Sequence, residues 1–101
     1  MGQRRYPPLT PSEVVAILTA HKFSKKHQVG AHAQYECPKT SEYPRSVVTV
    51  DMGYREFDDE RIKNMIRQSN RSRELFYGAT KRTASRASVP FLKLIPSSEG
   101  D

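Results

Sequence analysis

Hydrophobic positions recur at helical steps in two stretches and alternate with polar ones in two others. Val14, Ile17, Leu18 and His21 stand three and four residues apart, with Val15 widening the stripe, a spacing that predicts an amphipathic helix with one buried face. Its start is complete: Thr10 as N-cap, Pro11 in the first helical position, Glu13 closing a capping box and Leu9 stapling to Val14. The pattern ends near His21 or Lys22. Ile62, Met65, Ile66 and Ser69 form a second inward stripe, and Asp58 or Asp59 caps that helix with negative charge at its positive dipole end.

Between the helices the period changes to two. Ala33 and Tyr35 share one face of a short strand, and Gly30 before them supplies the turn. Phe23 to Gln28 reads as an exposed first strand, and the hairpin runs through His32 to Cys37, where Pro38 cannot continue the ladder. Lys39 to Arg45 is a loop. Ser46-Val47-Val48-Thr49-Val50 is the strongest strand and is expected to be central or well covered. Ser72 to Tyr77 starts a short third helix that Gly78 closes.

The order predicts a small α+β domain, α-β-β-β-α, with a short extra C-terminal helix and a tail. Residues 1–8, with adjacent Pro7 and Pro8, are expected to form an arm, 9–78 the domain and 79–101 a basic and apolar tail. Within that tail Lys81 to Arg86 lacks a core-forming period and reads as linker. Val89 to Pro96 is apolar but broken by prolines, so it either packs as an extended edge or meets a partner, and Ser97 to Asp101 is expected to be disordered.

Charge adds a direction. The 101-residue chain carries a net charge of +6, yet Arg61 to Arg86 alone holds eight basic residues against one acid, Glu74, and so carries +7. A concentrated basic face suits nucleic acid, and equally an acidic protein. No apolar run is long enough to cross a bilayer, and the first residues lack the apolar core of a secretory signal, so the expectation is a cytoplasmic protein with no membrane partner. Cys37 is the single cysteine, which rules out an internal disulfide and a cysteine-based zinc knuckle. His21, His27 and His32 lack the spacing of two ligands on one helix, so neither metal nor cofactor is expected. His21, in the last turn of its helix, reads as a cap for the dipole rather than as a ligand.

His32 is the candidate catalytic residue: it follows the Gly30 turn, and an imidazole held at a bend can exchange protons near neutral pH. Gly30, Lys25 and Lys26 beside it, with Lys63, Arg67 and Arg71 four apart on the second helix, are the candidate RNA contacts.

The series Val14-Val15-x-Ile17-Leu18, Phe23, Gly30-Ala31-His32, Val47-Val48-Thr49-Val50, Ile62 to Gln68 and Ser72-Arg73-Glu74-Leu75-Phe76, covering roughly Leu9 to Tyr77, resembles the HicA family of bacterial toxins. Ala31 stands where the family has serine, and Asp51-Met52-Gly53 where it commonly has proline and histidine. The resemblance implies a fold like the double-stranded RNA-binding domain and an endoribonuclease that cleaves messenger RNA. Its catalytic histidine would be His32, and a HicB-type antitoxin would hold it inactive, the free protein being a monomer. The alternatives are a non-catalytic RNA-binding module of the same fold, or a protein-interaction module using the basic face.

Overall fold

The computed structural model describes residues 5–94 and runs α1 (Pro11–Ala20), β1 (Ser24–Val29), β2 (His32–Cys37), β3 (Ser46–Asp51), α2 (Asp59–Ser69), α3 (Arg73–Tyr77) and α4 (Lys81–Ala87). It is an α+β domain in which a helix precedes a three-stranded antiparallel sheet and further helices follow. Each start is dictated locally. The Thr10 side chain accepts from the Glu13 N–H at 3.2 Å while the Glu13 carboxylate accepts from the Thr10 N–H at 2.9 Å, the reciprocal capping box. Asp58, Ser72 and Thr80 cap α2, α3 and α4 from extended backbone, each accepting one N–H of the first turn.

The sheet order is β1-β2-β3, so β2 is central and the β-branched strand β3 lies at an edge. It is well covered nonetheless, because α1 and α2 both pack against it. Alternation sorts the two faces. Ala33, Tyr35, Cys37, Ser46, Val48 and Val50 are buried with Val14, Ile17, Leu18, Ile62, Met65, Ile66 and Phe76, whereas β1 is exposed along its whole length. A small domain gains its stability from this single core.

One expectation is overturned near the C-terminal end of the described residues. Lys81 to Arg86 is no linker: it forms α4, whose Thr83, Ala84 and Ala87 are buried. That inward stripe is built of small side chains, which carry too little hydrophobicity to register as a period. The Thr83 hydroxyl donates to the Tyr77 carbonyl at 2.7 Å, tying α4 to the end of α3. The described part of the arm, Arg5 to Pro8, is non-helical and docked on the domain. The Tyr77 hydroxyl donates to the Pro7 carbonyl at 2.7 Å, Arg73 to the Arg5 carbonyl at 2.6 Å and Arg86 to the Pro8 carbonyl at 3.0 Å. Burial pushes the Tyr77 phenol well above its ordinary value, so it stays a neutral donor. Ile95, Pro96 and the expected disordered end lie outside the described residues.

Arg86 also clasps Glu13 with two hydrogen bonds of 2.8 Å, joining α4 to the start of α1. That pairing, against some desolvation, lowers the Glu13 carboxyl from its ordinary 4.5. The sign follows: the contribution is complete above the unfolded value and is lost as pH falls through the depressed folded value. Glu13→Gln is therefore expected to destabilise at neutral pH and to flatten the loss of thermal midpoint between neutral pH and about pH 3. An unaltered acid limb in differential scanning calorimetry would contradict the clasp.

Candidate active site

Gly30 and Ala31 form a two-residue loop between Val29 and His32, which pair across the hairpin. Gly30 sits at φ 58° while Ala31 does not enter the left-handed region, the demand that a type II′ turn makes of its first position. The turn places His32 at the first position of β2, 65% exposed, on the sheet face opposite the core. Register then decides its neighbour. His32 pairs with Asp51 across β2 and β3, and its Nε2 stands 3.4 Å from Asp51 Oδ2. The other carboxylate oxygen, Oδ1, accepts the Gly53 N–H at 3.0 Å, an Asx turn that holds the carboxylate in place.

The pair opens on a cleft of about 220 Å³ between the outer face of β3 and one side of α2, with Thr49, Tyr54, Arg61, Asn64 and Gln68 among its walls. Arg61, Asn64 and Gln68 share one helical stripe. The Arg61 guanidinium lies 4.7 Å from the Tyr54 ring centroid and 3.3 Å from Asp58 Oδ2, and Tyr54 packs on Phe57 at 5.4 Å. Arg61 is therefore a cation held in one place by a ring and a carboxylate.

The structure distributes the sequence-derived residues unevenly. Gly30 and His32 lie together at the hairpin mouth. Lys25 and Lys26 are exposed on β1, where the ladder slips between Lys25 and His27 and leaves Lys26 in the bulge; the Lys25 ammonium donates to Gln28 at 2.8 Å. Lys63 and Arg67 are exposed on α2 but do not line the cleft. Lys63 approaches the Tyr6 ring at 5.9 Å, and Arg67 donates to Asn64 Oδ1 at 3.3 Å.

Arg71 departs from the expected stripe altogether. α2 ends at Ser69, and Asn70 turns left-handed at φ 59°, so the chain leaves the helix before Arg71 and carries it into the core at 8% exposure. It is not a surface phosphate contact. His21 likewise does more than cap α1. Its half-buried ring donates from Nε2 to the Leu75 carbonyl at 2.8 Å, tethering α3, and burial with the nearby cations lowers its pKa below the ordinary 6.5.

No family model, curated protein or solved structure matches the chain significantly. The site therefore rests on its own geometry. Among the described residues no three His, Cys, Asp or Glu side chains gather as a metal site, and no helix is long and apolar enough to cross a membrane. The chemistry on offer is proton exchange at His32 beside a fixed carboxylate, with Arg61 as the nearby positive charge. Sequence reasoning missed Asp51 and Arg61. Asp51 had only its place at the end of the strongest expected strand, because the register that brings it opposite His32 is set across the 38–45 loop by burial; Arg61 had only its place on the Asn64 and Gln68 stripe.

Proposed function

We propose that the chain is a HicA-like endoribonuclease toxin, an mRNA interferase working without metal and restrained by a HicB-type antitoxin. The observation that carries this reading is the exposed His32 backed by Asp51 at the mouth of a cleft that also holds Arg61. Nε2 stands 3.4 Å from Asp51 Oδ2, a charge contact rather than a hydrogen bond; in the proposed mechanism the carboxylate favours the tautomer protonated on Nε2, which leaves the lone pair on Nδ1 to receive a proton. His32 takes the proton of a ribose 2′-hydroxyl, the 2′-oxygen attacks the adjacent phosphorus, and the P–O5′ bond breaks. The departing 5′-oxygen takes a proton from solvent water, leaving a 2′,3′-cyclic phosphate and a 5′-hydroxyl, and His32 afterwards returns its proton to solvent. Arg61 stabilises the negative charge that builds on the phosphoryl oxygens. Lys25 and Lys26 on β1, and Lys63 and Arg67 on α2, supply the wider basic surface on which single-stranded RNA lies.

The deciding experiment incubates the purified protein with a long single-stranded messenger RNA and a metal chelator and follows fragments on a gel. Cleavage supports the proposal. A shift of the RNA without cleavage would instead make the fold a binding module.

Asp51 is assigned a positioning role, tested by Asp51→Asn. The amide oxygen can still accept from Gly53, but its NH2 then faces Nε2 and favours the opposite tautomer. kcat is expected to fall about tenfold or more with KM and thermal midpoint held. Equal losses in kcat and thermal midpoint would mark Asp51 as structural.

A further inference from the structure

Away from the His32 cleft, the structure buries a charge that the proposed chemistry does not use. The Arg71 guanidinium, 8% exposed, stacks 3.7 Å from the Tyr43 ring centroid and 5.4 Å from that of Phe23. Its hydrogen bonds are two: NH1 to the Ser69 carbonyl at 2.9 Å and NH2 to Cys37 Sγ at 3.7 Å. Nε is buried without a partner, and no carboxylate among the described residues forms an ion pair with this side chain. Five N–H donors thus meet one good acceptor and one weak one. Arginine is seldom buried without a countercharge, because desolvating a cation is costly unless an anion returns the energy.

Beside Arg71 lies a second cavity, of about 310 Å³, bounded also by Lys22, His21, Tyr43, Leu75 and Leu94. That is the lower end of the size range of small-molecule sites. Lys22 adds positive charge, and Tyr43, Leu75 and Leu94 add an apolar wall. Glu42, exposed, is the carboxylate at its edge.

We propose that this cavity binds a small organic anion, a carboxylate or phosphate carried on a compact apolar body, with Arg71 as its charged anchor. The NH1 and NH2 hydrogens left over from Ser69 and Cys37 engage the oxyanion, Lys22 adds long-range attraction, and the apolar body lies against Leu75 and Leu94. Cation–π stacking on Tyr43 and Phe23 holds the guanidinium flat in advance, so little ordering cost falls on binding. The site stands apart from the ribonuclease reading and does not depend on it.

The test is NMR on the full chain, following the Arg71 Nε–H and Tyr43 ring signals while phenyl phosphate, benzoate, inorganic phosphate or chloride is added. Saturable shifts with phenyl phosphate or benzoate, at lower concentration than with inorganic phosphate, are expected, and the stronger of the two names the headgroup. Removing the rim carboxylate in Glu42→Gln is expected to tighten binding about two- to fivefold, the size of an exposed charge interaction. Arg71→Lys keeps the charge but loses the planar fork, and is expected to weaken binding about tenfold or more. Should Arg71→Lys fail to fold by circular dichroism, the Glu42→Gln comparison still decides. Shifts that never saturate, that chloride reproduces, or that ignore Glu42→Gln would overturn the site.

Discussion

His32→Ala is expected to abolish RNA cleavage while leaving the fold untouched. General acid–base assistance accounts for about a hundred- to ten-thousandfold in rate, and all of it passes through this one imidazole in the proposed mechanism. The structure says why stability is spared: the side chain is 65% exposed, lies opposite the core face of β2, and makes only a long contact with a partly exposed carboxylate, a pair worth little to folding. Fragment formation from messenger RNA, read beside the thermal midpoint of the same preparation, checks both halves. Unchanged cleavage would remove His32 from the chemistry. A melted variant would make the residue structural. RNA affinity is expected to survive the substitution with its salt dependence intact, because the proposed phosphate contacts are Arg61, Arg67 and the lysines rather than His32.

The second large effect concerns folding and comes from Gly78. Its backbone, at φ −75°, is open to any residue, so conformational freedom is not why glycine stands there. Space is the reason. A Cβ at this position would lie 2.6 Å from the Pro90 carbonyl oxygen, 2.7 Å from that of Glu74 and 3.1 Å from Leu92 Cγ. The first two are backbone atoms and cannot swing aside. The segment after α4 crosses here, where the Leu92 N–H donates to the Gly78 carbonyl at 2.9 Å; Val89 and Leu92 are partly buried while Phe91 and Leu94 stay exposed. Gly78→Ala is expected to destabilise by about 1–3 kcal/mol, the usual cost of forcing extra volume into a packed site. For a domain of this size that lowers the thermal midpoint by about 4–8 °C per kcal/mol. Amide exchange should quicken at Leu92 first. A variant as stable as the parent, with Leu92 still protected, would refute the close approach.

Local chemistry was readable wherever one residue acts on its near neighbours. The capping box of Thr10 and Glu13, the cap at Asp58 and the inward stripe of Ile62, Met65, Ile66 and Ser69 depend on interactions within a few residues, and they appear where spacing puts them. The hairpin at Gly30 and the α-β-β-β-α order follow from period and turn chemistry alike. The helix over Lys81–Ala87 was hidden because its buried face is Thr83, Ala84 and Ala87, small enough to pack closely and too weakly apolar to show as a pattern.

The site divides the same way. Sequence alone singled out His32 and Gly30, since a histidine two residues after a turn glycine is a local feature. Only tertiary structure paired His32 with Asp51, because strand register is a non-local choice made by burying Ala33, Val48 and Val50 on one face. It also separated Arg71 from Lys63 and Arg67: four-residue spacing implies a shared face only while the helix lasts, and the left-handed Asn70 ends it. An exposed stripe is a property of one segment. Burial of its last member between Tyr43 and Phe23 was settled by segments far away in sequence.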